Sequence, residues 1–149
     1  MKRGIAAESV LIACLASLSL DASAEGYDSP YGEWRGQAQY QAMVKSISDP
    51  AAHAVIDLVV DIDPRGKVTG SSPENGCQFL GLARPGVTSS IVQLNVTVRG
   101  CQYGRFNRVY IGYLIASQAK QYATFSLQAI DVTPGTGGAT FYIESTMRR

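Results

Sequence analysis

His53, Asp57, Asp61 and Asp63 are the residues whose types most suggest chemistry, because an imidazole and carboxylates can share a metal ion. Their spacing argues against it. On a strand, residues four apart lie on one face but roughly 13 Å apart, too far to converge on one ion. They read as a solvated outer face, with Asp63 placed to hydrogen-bond its own turn. A Ser-His-Asp triad would depend on His53, the chain's one histidine, and no G-x-S-x-G elbow accompanies it. Glycoside cleavage needs only two carboxylates. Glu33, Asp57 and Glu144 are candidates, but among twelve acidic residues a chance pair is easy to find. The expectation is a non-enzymatic protein that uses no cofactor and no metal.

The N-terminus decides what the cysteines can do. Lys2 and Arg3 precede an apolar run, Val10 to Leu20, too short to span a membrane. Ala22-Ser23-Ala24 then supplies the small residues that a signal peptidase needs. Residues 1–24 are expected to be an export signal, and 25–149 a single mature domain in the periplasm or outside the cell. Leu11-Ile12-Ala13-Cys14 also fits a bacterial lipobox, so a lipid anchor on Cys14 is the alternative. In an oxidising compartment Cys77 and Cys101 are expected to pair. They form no C-x-x-C and no metal knuckle. Closing their loop would contribute about 3–4 kcal/mol in the chain-entropy model. A net charge of +1 gives no electrostatic case for nucleic acid. No second apolar run is long enough to span a membrane.

The elements that must position these residues are strands. From Gly32, Trp34, Gly36, Ala38, Tyr40 and Ala42 alternate with Glu33, Arg35, Gln37, Gln39 and Gln41, the period of a half-buried strand. Ala54 to Ile62 repeats the pattern, and Asp63-Pro64-Arg65-Gly66 ends it with a turn. Further strands are expected at Lys67 to Gly70, Cys77 to Ala83, Val87 to Arg99, Phe106 to Ile115, Tyr122 to Val132 and Ala139 to Glu144. Facing cysteines on the fourth and fifth would centre the turn between them on Ser89. Eight short strands with short links predict an antiparallel up-and-down β-barrel, with a two-sheet sandwich as the alternative. Small inward residues such as Gly36, Ala38, Ala54, Gly112 and Ala123 suit a narrow barrel interior.

Gly32-Glu33-Trp34, followed by an eight-strand meander, resembles the G-x-W start of lipocalins and other calycin barrels. The resemblance implies that Trp34 packs across the barrel floor. It also implies that the loops at the open end surround a ligand. Arg148 or Arg149 stands where that family has a late arginine. The family's Thr-Asp-Tyr motif and C-terminal helix are absent from the sequence.

Two surfaces are candidates for binding. The turn at Cys101-Gln102-Tyr103-Gly104 is flanked by Arg99, Arg105 and Arg108, and Tyr and Arg dominate protein interfaces. Tyr113, Tyr122 and Tyr142 fall on the outer face by alternation and would form a second patch. These features predict an exported protein-binding module, such as an inhibitor or immunity protein. The alternative is a lipocalin-like carrier of a small apolar ligand. A solid interior favours the first, and an apolar cavity of several hundred Å³ the second.

Overall fold

Alternation builds the first strand, β1 (Gly32–Val44). Its even-numbered side chains Trp34, Ala38, Tyr40 and Ala42 are buried, while Glu33, Arg35, Gln37 and Gln39 are exposed. This is a computed structural model describing residues 29–117, 121–135 and 137–149. The expected export signal, its cleavage after Ala24 and the lipobox at Cys14 lie outside the described residues. After β1 come β2 (Ile47–Ser48), β3 (Ala54–Ile62), β4 (Lys67–Ser72) and β5 (Cys77–Pro85). Then follow β6 (Ile91–Arg99), β7 (Val109–Ala116), β8 (Tyr122–Asp131) and β9 (Ala139–Arg148).

Each long strand pairs antiparallel with the next, and β9 returns to β1 from Arg35↔Arg148 to Val44↔Ala139. Eight strands therefore close into the expected up-and-down barrel, which leaves no long edge unpaired. Two-residue β2 lies outside this ring and pairs only with Met43 and Val44. Small inward residues permit the tight closure. A Cβ on Gly112 would overlap the Ser126 carbonyl oxygen of the neighbouring strand.

Trp34 lies at the lower end of the barrel, where β1 begins and β9 finishes. It is fully buried, and its Nε1 donates to the Pro30 carbonyl at 2.9 Å. The Arg149 guanidinium stands 4.5 Å from the Trp34 ring centre. That guanidinium also donates to the carbonyls of Ser29 and Tyr31. Of the two C-terminal arginines, Arg149 is the one that packs on Trp34.

The middle of the barrel is filled. Tyr40, Phe79, Tyr110, Phe125, Phe141, Leu58, Ile62, Leu114, Leu127 and Ile143 are each at most 1% exposed. A void wide enough for a ligand would leave such side chains with accessible surface. The Tyr40 hydroxyl donates to Ser72 Oγ at 2.8 Å, and Ser72 donates on to the Asp57 carbonyl at 2.9 Å. The Tyr110 hydroxyl donates to the Phe106 carbonyl at 3.1 Å. Both phenols thus satisfy their hydrogen bonds inside, rather than reaching a wet rim.

Cys77 and Cys101 form the expected disulfide, with Cα atoms 4.2 Å apart. The register differs from the expected one by a residue. Facing cysteines would set Phe79 opposite Arg99, whereas Phe79 pairs with Val98. The ladder stops at Gln78↔Arg99, and Gly100 adopts a positive φ of 75°. That turn swings Cys101 back onto Cys77, a conformation glycine takes without cost.

Strand boundaries also differ, by three residues or more at three places. β6 starts at Ile91, because Gly86 donates to the Ile91 carbonyl and closes a turn over Val87 to Ser90. β7 starts at Val109, since Gly104–Phe106 winds into a 3-10 turn. β9 continues to Arg148, with Ser145 and Met147 buried. Among the described residues, no helix is long and apolar enough to cross a membrane.

Candidate functional site

The upper end of the barrel carries the arginine-rich turn. The disulfide holds its start, and the Cys101 amide donates to Asn107 Oδ1 at 2.9 Å, so the turn is tied at both sides. Within it Phe106 dips into the barrel and is 2% exposed. Its ring meets Tyr40 and Phe141 edge-on, with centroids 5.3 and 5.7 Å away. The turn therefore plugs the barrel mouth.

The four rim residues have different fates. Tyr103 is half-buried, and its hydroxyl donates to Asp49 Oδ2 at 2.5 Å. Arg108 lies 4.0 Å over the Phe141 ring, ion-pairs with Asp131 at 3.4 Å and donates to the Arg105 carbonyl. Arg105 reaches over the same ring at 5.4 Å. Arg99, at the end of β6, is exposed. Three of the four thus hold the plug in place. Beside Arg99, Leu80 on β5 and Val109 on β7 flank Thr97 and are 51% and 57% exposed.

Tyr113, Tyr122 and Tyr142 do point outward, but they do not gather into one patch. Tyr113 lies opposite Ser126, Tyr142 opposite Gln128 and Tyr122 opposite Arg148. By this register Tyr113 stands roughly 12 Å from Tyr142 and 14 Å from Tyr122. Tyr113 alone of the three borders the two grooves on the outer barrel wall.

Those grooves have volumes of about 950 and 620 Å³. The larger crosses β5 to β8, the smaller β7 to β9 and onto β1 and β3. They share Tyr113 and Ser126. Sequence reasoning missed them, because it assigned faces to strands without knowing which outward residues stand side by side.

The metal and hydrolytic candidates stay apart. No group of three metal-ligating side chains forms among the described residues. Asp63 accepts from the Arg65 and Lys67 amides, as its turn role predicts. Glu33 pairs with Arg35 at 2.6 Å. Glu144 and Asp57 are two strands and one residue pair apart, roughly 12 Å between Cα atoms. Compared with known families, curated proteins and solved structures, the chain has no significant match.

The plug is pH-sensitive in both directions. The Tyr103 hydrogen bond, helped by the Ala51 amide, holds the Asp49 carboxyl below the usual range. Hydrogen bonds from Thr133, with Arg108 nearby, do the same for Asp131. Depressed carboxyls stabilise the fold above their unfolded pKa, and that contribution is lost as pH falls through the folded values. Burial pushes Tyr40 and Tyr110 upward, so their contribution is present below the usual tyrosine range and is lost as pH rises beyond it. Melting temperature measured from about pH 2 to 11 should therefore fall at both extremes. Asp49→Asn should flatten the acid limb, and an unchanged acid limb would remove Asp49 from this account.

Proposed function

We propose that this chain is an exported, non-enzymatic binding protein that engages another protein through its outer surface, as an inhibitor or immunity protein does. The observation that carries this reading is the filled interior, closed by Trp34 below and Phe106 above. What is free to bind lies outside. The best docking patch is the disulfide-braced rim of Arg99, Leu80 and Val109 rather than Tyr103, which is committed to Asp49. A braced rim loses little conformational entropy on docking, so more of its contact energy appears as affinity. Export would place the protein in the periplasm or outside the cell, free or anchored through Cys14.

The test is capture from periplasmic extract on the immobilised mature chain. Wild type should retain a defined protein in stoichiometric amount, and Leu80→Glu with Arg99→Glu should lose it. Equal retention by the double variant, or no retained protein, overturns the reading.

The lipocalin-like carrier reading is favoured by Arg149 packed on Trp34. A ligand inside would have to take the space now held by Phe106 and its neighbours, which weighs against it.

A further inference from the structure

The strand registers place one set of outward residues in a single transverse row. Arg84 pairs with Gln93, Gln93 with Tyr113, Tyr113 with Ser126, Ser126 with Glu144, and Glu144 with Gln39. The row crosses six strands, about 24 Å at the usual strand spacing. It runs through both outer grooves and joins them at Tyr113 and Ser126, so the two are one trough. From this geometry we propose that the trough binds an extended, uncharged polysaccharide chain.

The lining mixes polar side chains with exposed Leu82, Ile111 and Ile115 in the larger groove and Val55 in the smaller, surfaces on which the apolar sides of sugar rings can also pack. Five side-chain amides border the trough: Gln37, Gln39, Gln93, Asn95 and Gln128. None of the five side chains hydrogen-bonds within the described protein, and within the row the Ser126 hydroxyl donates to Glu144 at 3.4 Å. Each amide offers one acceptor and two donor hydrogens, the pattern that neighbouring sugar hydroxyls match. Tyr113, 42% exposed, presents an aromatic surface on which the apolar side of a sugar ring can pack. The row's charges are Arg84 and Glu144, of opposite sign and separated by three strands, so the trough carries no net charge. The outer side of β1 and β3 differs, with Glu33, Arg35, Asp57 and Asp61. Along the row each strand is paired to its neighbours, so a peptide strand finds no edge there to extend. Glu144 is the row's one carboxylate, whereas glycoside hydrolysis uses a pair, so the chain would be held and not cut.

The test is titration of the mature protein with chitohexaose and, separately, cellohexaose, followed by side-chain amide resonances. At least one should shift the Gln39, Gln93 and Gln128 amides saturably, with a submillimolar dissociation constant. Tyr113→Ala should weaken that binding about tenfold, worth about 1.4 kcal/mol, with unchanged melting temperature. Gln93→Ala, also at an exposed position, should weaken it several-fold. Saturable shifts confined to other residues, no shift with either glycan, or full affinity in Tyr113→Ala would each overturn the proposal. None of these outcomes bears on the Leu80 and Arg99 rim, so the protein-binding reading stands or falls separately.

Discussion

Replacing Trp34 with alanine should lower the unfolding free energy by about 3–5 kcal/mol, the range for deleting a large core aromatic. The ring is fully buried at the lower end of the barrel. Two further losses come with it. The Pro30 carbonyl loses its 2.9 Å donor, and the Arg149 guanidinium loses the aromatic face 4.5 Å away. A cation over an indole contributes about 0.5–2 kcal/mol, depending on how far it is shielded from water. Arg149→Ala alone should therefore cost about 1 kcal/mol. The double variant should cost less than the two single losses added, because the contact can be lost only once. Urea unfolding followed by circular dichroism measures all three. Native tryptophan emission should be blue-shifted, since Trp34 is the only tryptophan. Emission like that of free tryptophan, or a Trp34→Ala loss under about 1 kcal/mol, would refute the burial.

Much of this barrel is legible in the sequence because alternation is a local signal. Trp34, Ala38, Tyr40 and Ala42 declare the face of β1 without reference to any other strand, and the β3 boundaries, Ala54–Ile62, follow from the same pattern. The cysteine pair is legible too, because it needs only compartment and count. What stays hidden depends on pairing between strands. The strand end at Arg99 and the turn that follows are legible, but the positive φ of Gly100 and the one-residue offset of Cys101 from the β5–β6 ladder are set by how the two strands pair. Phe106 sits in a stretch of aromatic and β-branched residues that reads as strand, yet its 3-10 turn directs it into the barrel mouth. The transverse row from Arg84 to Gln39 gathers residues from six strands. It becomes visible only when each register is known.

Phe106→Ala should have a comparable effect and a different signature. Phe106 fills the upper end against Tyr40, Phe141 and Tyr103, with ring centroids 5.3–5.7 Å away. Removing the ring should cost about 3–5 kcal/mol through lost contacts and the cavity left behind. Tyr103 and Arg108 are held from outside by Asp49 and Asp131, so the turn cannot simply slide inward to close the gap. The cavity would be apolar and bounded by aromatic rings, the kind that stays dry and admits benzene. Benzene should therefore bind the variant and restore part of its stability, rising with ligand concentration as linkage requires. Wild type, with Phe106 in place, should show no such rescue. A wild-type chain stabilised by benzene to the same degree would mean that the mouth opens readily, and would strengthen the carrier reading. A Phe106→Ala loss below about 1 kcal/mol would mean that the turn does not plug the barrel.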